Sequence, residues 1–390
     1  MPFFLCIGVL TYFFSVYMFI PIFYYYITDI GGGHIEFGVI ISTSALITSL
    51  LQSYIGYLSD RKGVLKIVAL GCFLSAISLL SVAIVSSAWL LIVLYVCLQF
   101  GIGAIAPALY GVVSRIKLKD DKNFIPYYRS IQGIGVILGP FIGGVISDVS
   151  LKANVIIASF LIVIAFICFY HYFKKLPQID HLNPEETERK EKDEKSSFFF
   201  ALRKVLMNKV FLSICLLFLF IELAYDCITF NVPMIGERMQ TETTLIGMAT
   251  SAYFLTFTLF QVPINNILRK IKVKVALITM GTLSLLTSTL FLVNSSFYVI
   301  IFAMGLSGIT IGSLFTYCAV ISSELAPNSE KGLYLGVFNT IMPLTDVASP
   351  LFTALLFGYA IRLPFYLSFS LICGFILIAV LQKSEKLPIS

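Results

Sequence analysis

"GYLSDRKGVLK", residues 56–66, is a short polar run carrying Arg61, Lys62 and Lys66 between two long stretches that have almost no charge, 36–57 and 65–86. A hydrocarbon core about 30 Å thick is crossed by about 20 apolar residues in a helix. The two flanks are therefore read as spanning helices, and the quoted run as the turn joining them at a membrane face. Gly56 and Gly63 permit a tight turn there. Asp60 stands just before the next helix, where the helix dipole favours a carboxylate.

The same reading carried along the 390 residues gives spans at about 3–27, 36–57, 65–86, 89–113, 127–148, 152–173, 210–233, 244–267, 274–293, 297–321, 333–358 and 363–382. Hydrophobic residues make up 58% of the chain and charged ones 12%, with mean hydropathy +0.94. Soluble domains carry roughly 25% charged residues, so the composition alone points to the bilayer. Long continuous apolar runs exclude a β-barrel, whose strands are short and alternate. The fold class is thus an all-α membrane protein of twelve transmembrane helices. The first span is too long for a signal peptide and lacks a basic leader or cleavage site, so it is expected to stay.

All but three of the 27 Lys and Arg, namely Lys152, Arg238 and Arg362, fall in the even-numbered loops and the C-terminal tail. The positive-inside rule then predicts both termini in the cytoplasm of a cell membrane, in a plasma membrane of bacterial type. The net charge of +6 reflects that topology and not a nucleic-acid partner. The eight cysteines all fall within spans and form no CxxC pair, so neither a disulfide framework, a metal site nor a cofactor is expected.

One long polar segment, 174–209, beginning "KKLPQIDHLNPEETERKEKDEK", divides the spans six and six. Its charge density suits a solvated tether. The organisation expected is a six-helix bundle over 1–175, a cytoplasmic loop over 176–208 and a second six-helix bundle over 209–390. The halves look related: Gly38 and Gln52 recur 209 residues on as Gly247 and Gln261, and Gly71 and Pro140 recur 210 on as Gly281 and Pro350. Transporters are often built of such repeats, with the substrate site between them.

In residues 56–66 the spacing is G-x-L-x-D-R-x-G. It closely resembles the loop motif of the major facilitator superfamily. That resemblance implies two six-helix bundles working by alternating access, with Gly56, Asp60, Arg61 and Gly63 in a cytoplasmic gate loop. The equivalent second-half run, "NNILRKIKVK" (265–274), keeps the basic residues and lacks Gly and Asp, so the latch is expected to rest mainly on the first half. In the fifth span, "GVILGPFIGG" (135–144) concentrates four glycines and a proline, poor helix formers in water. In lipid, small residues let backbones approach and neighbouring helices repair what proline breaks. Gly135, Gly139, Pro140, Gly143 and Gly144 resemble the fifth-helix motif of the superfamily's exporters, particularly the twelve-helix drug–proton antiporters. There the motif packs this helix against the second half. Pro21 in "FIPIFYYY" resembles the proline near the outer end of the first helix in that group. The fourth span, "LYVCLQFGIGAIAPALYG" (94–111), has Val96 or Cys97 where those proteins place an embedded Arg associated with proton transfer.

Three acids fall well inside spans: Glu222, Asp226 and Asp346, at about 18, 24 and 20 Å from the cytoplasmic end. An ionised carboxylate there costs several kcal/mol, so an intramembrane acid is a functional candidate. Glu222 and Asp226, four apart, share a helix face and could exchange a proton for a cationic substrate. "LAYDCITF" also resembles the seventh-helix region of quinolone and multidrug exporters, which carry an acid at the position matching Asp226. Gln132, Asn231 and Asn339 are candidates for cavity lining, Gln52 and Gln261 for structural roles, and His34 in "GGGH" is expected in a solvated outer loop.

Nothing here supplies an enzyme: there is no GxSxG, nucleotide loop or HExxH. The leading expectation is a monomeric, lipid-embedded secondary transporter that takes a small-molecule substrate and protons and exports lipophilic cationic or neutral drugs. Export of a metabolite or siderophore, and a nutrient uptake permease, are the alternatives. The first is disfavoured by the lack of deep basic residues, the second by the glycine–proline motif.

Overall fold

In hydrocarbon only a helix satisfies the backbone polar groups of a single span from within. The computed structural model describes residues 3–113, 116, 124–174, 205, 207–293, 296–327 and 331–381, without side chains over 51–62, and among the described residues contains no strand. The first span is α1 (Phe3–Phe19), a 3-10 turn at Ile20–Ile22 and α2 (Phe23–Asp29). Spans two to six are α3 (His34–Lys62), α4 (Val64–Val82), α5 (Ala88–Val113), α6 (Ile125–Val149) and α7 (Leu151–Lys174). Spans seven to ten are α8 (Lys209–Arg238), α9 (Thr243–Leu268), α10 (Val273–Val293) and α11 (Phe297–Glu324). The eleventh is divided into α12 (Lys331–Asn339) and α13 (Ile341–Tyr359), and α14 (Leu363–Leu381) is the twelfth.

Local sequence explains the breaks and ends. Pro21 lacks the N–H that would continue α1, and the chain tightens to a 3-10 turn around it. Pro343 likewise cannot donate to the carbonyl of Asn339, which is where α12 stops. Asn208 caps α8, its Oδ1 accepting from the Val210 and Phe211 amides at 3.1 and 3.2 Å. Glu36 closes the start of α3 by accepting from the Gly33 amide at 3.0 Å.

The loop of residues 56–66 differs from its sequence reading. Helix α3 continues to Lys62, so Gly56, Asp60 and Arg61 belong to its last turns, and Gly63 alone makes the turn at φ +89°. Nothing between Gly56 and Lys62 interrupts a helix, whereas a φ of that sign suits glycine. The side chains of Gln52, Asp60 and Arg61 lie outside the described residues.

The first six spans form one bundle, in which α1 packs on α6 and α7, and α4 on α5 and α7. The last six form another, in which α8 packs on α13 and α14, and α9 on α11. The bundles meet along two seams, α6 against α9 and α3 against α13. Of the residues that recur at an offset of 209 or 210, Gly38 and Gly247 with Pro140 and Pro350 lie in those seams, whereas Gly71 and Gly281 face Ile105 and Phe375 within their own bundles. A Cβ added to Gly247 would stand 2.8 Å from the Pro140 carbonyl carbon, and one added to Gly38 would stand 2.9 Å from the Pro350 oxygen. The repeat is thus a pair of matched glycine-on-proline crossings between the bundles.

Many hydroxyls along these helices bond within their own helix. Ser44 donates to Ile40 O, Thr250 to Ile246 O, Ser307 to Ala303 O and Ser349 to Thr345 O, each four residues back. They satisfy themselves without tying one span to the next.

Candidate functional site

The rotation of α8 about its axis is fixed by polar contacts on the face that turns to α11 and α14. The Tyr225 hydroxyl bonds the Thr310 hydroxyl of α11, and Ser368 Oγ of α14 donates to the Ala224 carbonyl at 2.8 Å. With that face held, Glu222 and Asp226 project together, one turn apart. Glu222 is only 6% exposed. One oxygen of each carboxyl, Glu222 Oε2 and Asp226 Oδ2, is buried with no hydrogen-bond partner among the described residues. Buried polar atoms are ordinarily paired, so two orphans one turn apart mark a place built for something other than packing.

The third acid arrives from the eleventh span. Asp346 lies three residues beyond Pro343, so the break at Asn339 sets the direction in which α13 carries it. Its carboxyl is close enough to interact electrostatically with Glu222 and Asp226. It also reaches Tyr17 of α1, Tyr95 of α5 and Tyr253 of α9. Yet Asp346 is solvent-exposed. A side chain among groups from four other spans and still exposed faces a space between helices and not lipid. Thr345 and Ser349, on the same helix, stand beside the Asp226 carboxyl.

Aromatic rings wall this space. Tyr17 meets Phe254 edge-on, with centroids 5.4 Å apart across the two bundles, and Tyr253 meets Phe254 at 5.3 Å. Tyr95 stacks on Phe23 at 4.4 Å, and Gln99 Nε2 lies 3.4 Å from its hydroxyl. Such faces attract cations when desolvated. Where the resemblance placed an embedded Arg near residue 96, this chain has the Tyr95 phenol within electrostatic reach of Asp346. Among the described residues no group of His, Cys, Asp and Glu is arranged to hold a metal ion.

The other candidate residues are dispersed. Gln132 is engaged by Arg129, whose Nη1 lies 3.4 Å from its Oε1, and Arg129 in turn sits 5.2 Å from the Tyr110 ring centre. Asn339 is exposed at the helix break. Asn231 is fully buried, with neither amide atom hydrogen-bonded among the described residues. Of the fifth-span motif, Gly135, Gly139 and Gly143 receive α1 of their own bundle, where an added Cβ would meet the backbone at Phe14, Phe14 and Met18. Gly144 and Pro140 are the members that touch the second bundle, at Thr243 and Gly247 of α9. His34 is not a free loop residue: it opens α3, and its ring packs 5.7 Å from that of Phe357 and against Gly358. The second half also keeps an ion pair at its corresponding loop, Arg269 to Glu324 at 3.3 Å, which the sequence comparison of the two loops did not expect.

The aromatic run "YFFSVYMF" of the first span suits a cavity for flat cations, but which tyrosines line it was not legible, because 14% of the chain is aromatic and a single Tyr in an apolar run carries no mark. Only the spacing of Tyr17 and Tyr95 near the depth of the acids could have singled them out.

Among the described residues, eleven helices long and apolar enough to cross a membrane, with a further apolar helix over His34–Leu50, make this a multi-pass membrane protein, and the family its sequence matches makes it a transporter and not an enzyme. The sequence profile of the Major Facilitator Superfamily matches residues 5–240 and again 214–388, and the chain belongs to that superfamily. It is 29% identical over 144 residues to a multi-drug resistance efflux pump PmrA homolog of Lactococcus lactis, covering 35% of this chain and 36% of that one. It is 28% identical over 167 residues to the quinolone resistance protein NorA of Staphylococcus aureus, covering 42% and 43%. The chain thus spans less than half the length of either relative. Among solved structures it resembles the nucleoside transporter NupG, with a TM-score of 0.73 at 13% identity over 97% of both chains, a likeness of fold alone.

Proposed function

We propose that the protein is a proton-coupled exporter of lipophilic cationic or neutral drugs, working by alternating access between its two bundles. The observation that carries this reading is the cluster of Glu222, Asp226 and Asp346, in electrostatic reach of one another within the spans. By sequence the Lys and Arg of the chain fall in loops and span ends, and among the described residues no salt bridge to the cluster is formed. Ionised carboxylates in that setting cost several kcal/mol each, and their charge is balanced by protons or by a cation. Binding one then displaces the other, which is exchange. Asp226 is the proton carrier in this reading, Glu222 its neighbour for the substrate cation, and Asp346 the group that faces the open space.

The walls of Tyr17, Tyr95, Tyr253 and Phe254 suit flat, greasy cations. Gly56, Asp60, Arg61 and Gly63 serve as the inner gate, and the crossing of Pro140 and Gly144 on α9 as the exporter-type seam. The names of the two partial relatives, a multi-drug efflux pump and a quinolone resistance protein, support the same substrate class. Both termini are placed in the cytoplasm by the distribution of basic residues, the membrane is the plasma membrane, and a single chain holds the whole site.

The test is cation uptake into everted vesicles driven by an imposed pH gradient. Asp226→Asn keeps shape and removes the charge change, and gradient-driven accumulation is expected to stop. Glu222→Gln is expected to raise the apparent KM for cations. Retention of gradient-driven transport by Asp226→Asn, Glu222→Gln and Asp346→Asn alike would overturn the reading.

A further inference from the structure

Helix α9 begins at Thr243 with backbone amides that have no partner in their own helix. The residue placed to cap it, Glu242, makes no side-chain bond to them. The cap comes instead from the other bundle, 95 residues away. Asp148, in the last turn of α6, accepts from the Thr243 amide at 2.6 Å and the Thr243 hydroxyl at 2.7 Å through Oδ1. Its Oδ2 accepts from the Thr244 amide at 3.1 Å and from the Thr244 hydroxyl. A carboxylate at a helix N-terminus is favoured by the dipole as well as by these bonds.

The surroundings press the same two ends together. Thr243 Oγ1 lies 2.8 Å from the Gly144 carbonyl, and the absence of a side chain at Gly144 is what lets the two backbones meet. Tyr25 of the first bundle donates to the Thr241 carbonyl of the second at 3.0 Å. All of these ties lie at the face that carries the odd-numbered loops.

The repeat shows that the arrangement is one-sided. The offset that pairs Gly38 with Gly247 pairs His34 with Thr243, and the offset that pairs Pro140 with Pro350 pairs Asp148 with Gly358. His34 and Gly358 do meet, at the α3–α13 seam. At that seam the position of Asp148 holds a glycine. One edge of the closed face is therefore tied by a carboxylate, while its counterpart packs a ring on a glycine.

We propose that Asp148 is the clasp that holds the two bundles shut at the odd-loop face, and that its release is a required step each time this face opens. Hydrogen bonds of this geometry do not stretch: parting α6 from α9 by more than an ångström or so loses them together. The inference rests on the alternating-access reading but not on the substrate or on the three acids within the spans.

Hydrogen exchange of the full chain in lipid nanodiscs, without substrate, tests it separately from transport. In Asp148→Ala, exchange is expected to rise at least tenfold at the Thr243 and Thr244 amides. It is expected to rise also at segments Asp148 does not touch, at His34–Phe37 and Gly236–Thr241, as the face opens. Asp148→Asn, which keeps one acceptor oxygen, is expected to show a smaller rise at the same places. Thr244→Val is expected to resemble it, with Thr244→Ser close to the parent. A rise confined to Thr243 and Thr244 would reduce Asp148 to a helix cap, and no rise would remove even that; either overturns the proposal. Because no substrate is used, failure of drug efflux elsewhere leaves this result intact.

Discussion

Adding one methyl group at the crossing of α6 and α9 is expected to change the working equilibrium of the protein. In Gly247→Ala the new Cβ would stand 2.8 Å from the Pro140 carbonyl carbon and 3.1 Å from Phe141 Cα. Both are backbone atoms and cannot turn aside as a side-chain tip can. The Pro140 oxygen lies nearer still, so against ordinary contacts of about 3.5 Å the helices must separate by roughly 1 Å or more at this point. Overpacking of that kind costs about 1–3 kcal/mol. If the strain falls on the arrangement described here and is relieved when the bundles rock apart, that arrangement loses a factor of about 5 to 150 in population, at about 1.4 kcal/mol per tenfold. Gly38→Ala at the matching crossing meets the Pro350 oxygen at 2.9 Å and the Ala354 Cβ at 2.6 Å, and the Ala354 methyl is as immovable as backbone. The two variants are expected to lower the thermal midpoint in detergent by a few degrees and to slow turnover to a similar extent. Unchanged midpoint and turnover in both would refute the idea that these glycines are crossings under contact. An effect in one alone would refute their equivalence.

The break in the eleventh span yields another expectation. Pro343→Ala gives the Asn339 carbonyl a donor and lets α12 run into α13, which is expected to raise the melting temperature while raising the KM for cations several-fold, because Asp346 is re-aimed; a higher melting temperature with unchanged KM would show that the break does not place the acid. For orientation, cysteines introduced at Ser87, between α4 and α5, and at Gly332, in α12, separate the two faces: impermeant thiol reagents on intact cells are expected to label the first and spare the second, and the opposite pattern would invert the topology.

Much of the fold was legible because hydrocarbon leaves the chain so little choice. Every span was visible as a run of apolar residues, and the ends erred where a helix continues through polar residues that do not break it, as from Gly56 to Lys62. The acids on α8 were legible for the same reason, since charge in an apolar run stands out. What could not be read were relations across the repeat. Asp148 looks like any acid at the end of a span, and its function as a cap depends on Thr243 and Thr244 arriving from the other bundle. The glycine motif was recognised as a packing face but its members divide between two partners, α1 and α9, which spacing alone does not reveal. Asn231 was noticed as polar and turns out to be enclosed, which depends on how neighbouring helices pack around α8.

The hydroxyls that bond four residues back within their own helix bear on how easily the bundles slide. A seam cross-linked by side-chain hydrogen bonds has a rough profile: each must break before the next can form, and motion proceeds in jerks. Here Ser44, Thr250 and Ser349, on the helices that form the two seams, carry their bonds with them as the helices move. Among the described residues little remains between α3 and α13 but smooth contact, and the seam of α6 and α9 adds to it mainly the tie of Ser251 to Ile137 O at 2.7 Å and the clasp at its end. The pair of seams then resembles a bearing with a catch at one edge, where the side-chain ties between the bundles gather.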